Sequence, residues 1–238
     1  TRKLANIYPI GPAILWAPSF AFVHTILRGS GTSFPYQLTI GITSLFYTIV
    51  GLILLYRFLR HYASEKISTL TILAIALSTN LMFYGSLDTV NSHGLSFFAA
   101  TLFLTLWIGK NRNNMLLGST LGLLTLIRPQ DALFGLLLLH KTNMRSLMRS
   151  AIGFILVFSL QLIAWQLLYG KFWVSPYLDR GYGFNVLRPK ILEVLFSPNN
   201  GLFLWTPMTL LGFIGFFLPN FPKPQYRPYL VGMVILQI

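Results

Sequence analysis

A short turn in the middle of the chain carries side chains that could bind an anion or move a proton. It reads Arg128, Pro129, Gln130 and Asp131, between apolar arms of about fifteen and nine residues. At about 1.5 Å per residue neither arm spans a hydrocarbon core of roughly 30 Å, so the turn is expected below the outer surface of a membrane. A charge facing lipid at mid-depth costs about 2.5 to 3.5 kcal/mol. Arg128 and Asp131 should therefore face protein or water, either at the floor of a polar cleft or as a mutual pair that holds a hairpin together.

A second polar cluster lies in the segment SLDTVNSHGLSFF, where one apolar run ends and another begins. Asp88 and His93 could meet here, because a carboxylate beside an imidazole is a familiar way to move a proton or orient an acceptor. Asn91 or Ser92 would also suit the N-cap of a helix that starts near His93, which explains part of the cluster structurally. The sequence leaves both interpretations open.

The longest polar stretch covers residues 170 to 207 and holds two of the five acidic residues, together with several cations and aromatic rings. Rings stack on sugar or base faces and Arg or Lys binds phosphate, so the stretch predicts a cap over a membrane-embedded cleft for a ligand with an anionic end. The alternative is a connecting loop with interfacial aromatic residues and solvated charges. The candidate ligand-binding residues in it are Arg180, Tyr182, Arg188 and Lys190.

The composition is typical of a membrane protein. Of 238 residues, 54% are hydrophobic and 10% are charged, against roughly 25% charged in soluble domains. The runs that lack a charge and are about long enough to cross a bilayer are 37–56, 67–87, 89–109, 150–170 and 199–222. The sequence therefore predicts an all-α, polytopic bundle of transmembrane helices with juxtamembrane or re-entrant helices and one long outer loop.

The charge distribution predicts the orientation of this bundle. The formal net charge is +13, but the basic residues form short clusters between apolar runs, which argues against a nucleic-acid partner. Ten of the 18 basic residues fall in the loops 57–66, 110–113, 141–149 and 219–227, and the positive-inside rule makes these loops cytoplasmic. The acidic residues that then share the outer face are Asp88, Asp131, Asp179 and Glu193.

Neither a metal nor another cofactor is expected. The chain has no cysteine, and its four histidines lie far apart without metal-ligand spacing. It also lacks a Gly-rich phosphate loop and the short motifs of soluble hydrolases.

We interpret the chain as a single transmembrane domain, 1–238, truncated at both ends. Its predicted parts are an outer juxtamembrane segment 1–36, transmembrane helices 37–169 with a re-entrant hairpin 113–140, an outer loop 170–202, and C-terminal helices 203–238, the last incomplete. The predicted crossings are 37–57, 67–85, 93–109, 150–170 and 203–218.

Smaller features refine this division. Pro12 and Pro18 remove helix hydrogen bonds, so residues 10–27 are expected to be interfacial or re-entrant and not to cross unaided. Gly118 and Gly122, four apart on one helix face, predict a close contact between helices.

Four segments together resemble bacterial membrane glycosyltransferases of the GT-C superfamily, relatives of protein O-mannosyltransferases and of the aminoarabinose transferase that modifies lipid A. They are YPIGPAILWAP at 8–18, SHGLSFF at 92–98, LIRPQDALF at 126–134 and LFSPNNGLFLWTP at 195–207, in that order. The resemblance implies transfer of a sugar from a polyprenyl-phosphate donor to a lipid or cell-envelope acceptor. The reaction would take place on the outer side of the bacterial inner membrane.

The same resemblance implies roles for particular residues. Arg128 would lie below the donor cavity, and the outer loop with Arg180, Tyr182, Arg188 and Lys190 would close over the donor. The main catalytic base is expected upstream of Thr1, so Asp88 and His93 would shape the acceptor side. Asn199 and Asn200 stand where the family often has an Arg-His or Arg-Asn pair, which leaves a phosphate role for that turn open.

Two other functions remain open. A transporter or lipid flippase would use the same charged cleft as a path, and it would be expected to contain two related halves with broken helices. We find no internal repeat of that kind in this sequence. A non-catalytic membrane scaffold is the other alternative.

Overall fold

The computed structural model describes residues 8–109, 112–140, 143–174, 190–218 and 226–237. Of these residues 79% are helical and none lies in a β-strand, so the all-α prediction is confirmed. Two helices, Phe34–Leu59 and Met144–Tyr169, are long and apolar enough to cross a membrane. The protein is therefore an all-helical protein with the character of a membrane protein.

The described helices follow one another along the chain with short connections. They are α1 Gly11–Leu27, α2 Phe34–Leu59, α3 Glu65–Ser78, α4 Asn80–Met82, α5 Ser92–Ile108, α6 Asn114–Ile127, α7 Met144–Tyr169, α8 Ile191–Phe196, α9 Leu202–Trp205, α10 Met208–Gly215 and α11 Arg227–Gln237. A π-helical turn, Phe83–Leu87, follows α4, and a 3-10 helix, Pro129–Leu139, follows α6.

Two predicted crossings are broken in the structure. The predicted span 67–85 bends by 67° between α3 and α4, where Thr79 has an extended backbone (φ −122°, ψ 170°). The predicted span 203–218 consists of α9 and α10, of four and eight residues, separated at Thr206 and Pro207. The sequence did not indicate either break, because hydropathy reports composition and not backbone direction. Whether these two segments cross the membrane stays a prediction.

Helix α1 is continuous even though Pro18 lies inside it. It runs antiparallel to the first half of α2, because Trp16 Nε1 donates to Ser44 Oγ at 2.8 Å and His24 Nδ1 lies 2.9 Å from the Tyr36 hydroxyl. Helix α1 therefore lies alongside the first half of a candidate membrane span.

Small residues let α6 and α7 pack side by side in the same direction. A Cβ added at Gly118 would collide with the backbone of Ser150, and one added at Gly153 would collide with the Met115 carbonyl. A Cβ at Gly122 would be similarly crowded by α7. The close contact predicted for Gly118 and Gly122 is confirmed.

The chain reverses its direction at Arg128, between α6 and the 3-10 helix. Ser96, near the start of α5, donates to the carboxylate of Asp131, at the start of the 3-10 helix. Near the other end of both helices, Trp107 Nε1 donates to the Leu137 carbonyl at 3.0 Å. The 3-10 helix therefore runs beside α5 in the same direction. The segment from α6 to the end of the 3-10 helix, residues 114–139, begins and ends at the same end of the bundle.

The α6–α7 contact can be tested by adding one methyl group. Gly118→Ala is expected to lower the free energy of unfolding by about 1 to 3 kcal/mol, because overpacking forces two closely packed backbones apart. Thermal unfolding in detergent measures the change. The matched control is Gly212→Ala in α10, where nothing lies within 4 Å of the new Cβ. Unchanged stability of Gly118→Ala would contradict the close approach.

Candidate anion site at the middle of the bundle

The site lies where α5 begins, halfway along α2. Thr48 of α2 fits against two glycines: a Cβ at Gly94 would collide with its hydroxyl, and one at Gly85 would lie 3.0 Å from its methyl group. Within the 26 residues of α2, Thr48 lies about 21 Å from the Phe34 end and about 17 Å from the Leu59 end. The two glycines thus bring the start of α5 to mid-height of this helix.

The π-helical turn positions an aromatic ring beside the start of α5. The turn is closed by a bond from the Asp88 backbone N–H to the Phe83 carbonyl, at 3.0 Å. Inside it, the Tyr84 ring stacks on the His93 imidazole, with centroids 4.0 Å apart and planes 20° apart. Turns of this type are common at functional sites because they redirect one side chain. Here the stack fixes the plane of the imidazole.

Arg128 ends α6 and places its half-buried guanidinium against this imidazole. Its Nη1 donates to His93 Nδ1 at 2.7 Å. The Gln130 side-chain oxygen, in the amide orientation that satisfies both groups, accepts from Nε and Nη2 at 2.8 and 2.7 Å. A guanidinium carries five N–H bonds, so three are used and two remain for a ligand.

This arrangement determines the tautomer of His93. Arginine only donates hydrogen bonds, so His93 Nδ1 must accept, the imidazole is neutral, and its proton is on Nε2. The predicted pairing of Asp88 with His93 is not seen, because Asp88 Oδ2 accepts instead from Asn91 Nδ2 at 3.4 Å. Asn91 does occupy the N-cap position of α5, but its side chain makes no capping bond.

Asp131 faces the interior of the bundle. The whole residue is 7% exposed, and its carboxylate accepts a hydrogen bond from the Ser96 hydroxyl. Within the described residues the one side-chain ion pair joins Lys190 to Glu193, so Arg128 and Asp131 do not form the mutual pair that the sequence left open. Sequence reasoning missed Ser96, although its position one helical turn after His93 on α5 was a usable signal.

The cap residues predicted in the polar stretch are placed only in part. Lys190 is exposed and its Nζ lies 2.9 Å from Glu193 Oε2, one turn along α8, and its side chain has no bond to the Arg128 cluster. Arg180, Tyr182 and Arg188 lie outside the described residues. In the part of the chain that the structure describes, no group of three or more His, Asp or Glu could hold a metal ion.

The N-terminus of α1 closes one side of the turn. The Ile10 backbone N–H donates to Gln161 Oε1 of α7 at 3.0 Å, and Gln161 is only 4% exposed. A Cβ at Gly11 would collide with the backbone of Leu126 and Ile127, directly before Arg128. Sequence reasoning also missed Gln161, whose isolated polar side chain in an apolar helix was the available signal.

The site presents a cation whose hydrogen-bond partners are neutral. His93 and Gln130 orient the guanidinium of Arg128 without neutralising it. A guanidinium between apolar helices is costly unless a counter-charge or water accompanies it. Its paired N–H groups match carboxylate or phosphate oxygens. The arrangement therefore suits an anionic group that enters from an apolar environment.

No protein-family model, curated protein or solved structure matches this chain. The fold and the site define an all-helical membrane-type protein with an oriented arginine at mid-height of its bundle.

Proposed function

We propose that this protein is a membrane glycosyltransferase, which moves a sugar from a polyprenyl-phosphate donor to a lipid or cell-envelope acceptor. The observation that carries the proposal is the Arg128 guanidinium, oriented by His93 and Gln130 with two N–H bonds left over. A lipid-linked sugar joins an anionic phosphate to a long apolar chain. Such a donor matches a cation placed between apolar helices.

The proposed reaction is a single displacement at the anomeric carbon. An acceptor hydroxyl oxygen forms the new bond to this carbon while the bond from the carbon to the phosphate oxygen breaks. The polyprenyl phosphate leaves with the electron pair, and the acceptor proton passes to a base. Arg128 stabilises the charge that develops on the leaving phosphate, and a guanidinium can do this without a metal.

Two further features support the donor assignment. The four sequence segments that resemble GT-C glycosyltransferases include the turn at Arg128 and the start of α5. These two segments meet in space, because Arg128 of the first contacts His93 of the second. Asp88, next to the π-helical turn, remains a candidate for orienting the acceptor, and the stretch with Arg180, Tyr182, Arg188 and Lys190 remains a candidate lid.

The phosphate role predicts a graded response to substitution of Arg128. In protein expressed from its complete gene, Arg128→Ala should lower sugar transfer by about 10² to 10³, the effect of removing one oriented donor that stabilises developing charge. Arg128→Lys keeps the charge but loses the paired N–H geometry, so its rate of sugar transfer should lie between the rates of the wild type and of Arg128→Ala. Radiolabelled polyprenyl-phosphate sugars measure transfer in membranes.

The matched control is Arg145→Ala, which removes an exposed arginine from the first turn of α7 and should leave transfer unchanged. Full transfer by both Arg128 variants would overturn the phosphate role. Movement of the labelled lipid across the membrane without transfer to an acceptor would instead identify a transporter.

We also propose that the site opens to the outer side of a bacterial plasma membrane. The chain has no cysteine, so single cysteines can be introduced without background. Val90→Cys, exposed beside the site, should react with a membrane-impermeant maleimide in intact spheroplasts. His61→Cys, in the basic loop after α2, should react only after permeabilisation. Labelling of both positions from the same side would contradict this orientation.

A further inference from the structure

We infer that His93 is a positioning residue whose neutral imidazole holds Arg128 in place, so that protonation of His93 releases the arginine and weakens anion binding. The inference rests on the proposed anion-binding role of Arg128. It assigns His93 a task different from the proton transfer that its sequence context indicated.

The imidazole of His93 is held rigidly. His93 is the second residue of α5, and its neighbour Gly94 is pressed against Thr48. The Tyr84 ring covers one face of the imidazole at a centroid distance of 4.0 Å. The ring is therefore held in one plane while its Nδ1 accepts from Arg128 Nη1 at 2.7 Å.

Protonation of the His93 imidazole breaks its hydrogen bond to Arg128. An imidazolium has two donors and no acceptor, so it cannot keep the bond to Arg128, and it places a second positive charge beside the guanidinium. Among the described residues, the charged or titratable groups that contact His93 or act on it electrostatically are Tyr84, Asp88 and Arg128, while Asp131 is bound to Ser96. Of these, Asp88 would attract the imidazolium, so a proton shifts the balance of contacts from Arg128 to Asp88.

The hydrogen bond from Arg128 to His93 also affects how well the arginine binds an anionic ligand. With His93 neutral, Arg128 is clamped on two sides, by the imidazole and by the Gln130 amide. A clamped guanidinium loses less conformational entropy when it binds an anion than a free one. Without the histidine bond, only Gln130 orients the cation, so anion affinity should fall.

The test measures binding and needs no sugar transfer. The probe is a farnesyl methyl phosphodiester, which keeps a single negative charge from pH 5 to pH 8, titrated into detergent-solubilised protein expressed from the complete gene. For the wild type, affinity should be highest at pH 8, where histidine is neutral, and should fall as the pH is lowered toward 5 and the imidazole is protonated.

Two substitutions separate the acceptor from the ring. His93→Asn supplies an oxygen near the position of Nδ1 but does not titrate. This variant should bind the probe at pH 8, and its affinity should not fall as the pH is lowered to 5. His93→Phe keeps a ring against Tyr84 but has no acceptor, so it should bind about tenfold to a hundredfold more weakly at every pH, the range for one hydrogen bond to a charged group. The control His24→Asn, in α1, should keep the wild-type pH profile.

The outcomes distinguish this inference from the proposed function. An acid-side decline that persists in His93→Asn would overturn the positioning role, even if His93→Phe failed to fold. Wild-type affinity in a folded His93→Phe would overturn it as well. Probe binding with the expected pH profile, together with no sugar transfer from any donor, would sustain the inference and reject the glycosyltransferase proposal.

Discussion

The hydrogen bond between Arg128 and His93 is the constraint on which the organisation of this bundle depends. It joins residues 35 positions apart, at the end of α6 and the start of α5, and it lies halfway along a helix able to span a membrane. The hydrogen-bond partners of this guanidinium are neutral, and the nearby Asp131 carboxylate acts on it electrostatically without forming an ion pair, so the cation remains able to bind an anion. A carboxylate hydrogen-bonded to Arg128 would neutralise the guanidinium within the protein and would lower its affinity for an anionic ligand.

The scaffold holds this bond in place through close backbone contacts. Gly94 admits Thr48 beside the start of α5, and Gly118 lets α6 approach α7. The N-terminus of α1 seals the far side through its bond to Gln161. Each of the two glycines removes a side chain that would otherwise separate two helices, as is common where helices associate in lipid. The arginine is therefore presented by packed helices, which hold a side chain more firmly than a loop would.

Much of the fold, and less of the site, could be predicted from the sequence. Apolar runs located the ends of α2 and α7 to within about six residues, and the short arms around Arg128 indicated the reversal of the chain. The 67° bend at Thr79 escaped prediction, because hydropathy contains no information on backbone direction. The sequence offered Asp88 as a possible partner of His93 because it is near in the chain, but the fold brings Arg128 to the imidazole. Partner choice depends on how helices pack, and one sequence does not encode that in a local pattern.

The most direct test of an arginine reserved for an anion is solid-state NMR in lipid bilayers, measuring dipolar coupling between the guanidinium ¹⁵N nuclei of Arg128 and the ³¹P nucleus of a bound polyprenyl phosphodiester. Strong dephasing, as required by direct N–H to oxygen bonds of about 2.7 to 2.9 Å, is expected. Absent ³¹P dephasing, together with a close contact between this guanidinium and the ¹³C-labelled carboxylate of Asp88 or Asp131, would contradict it.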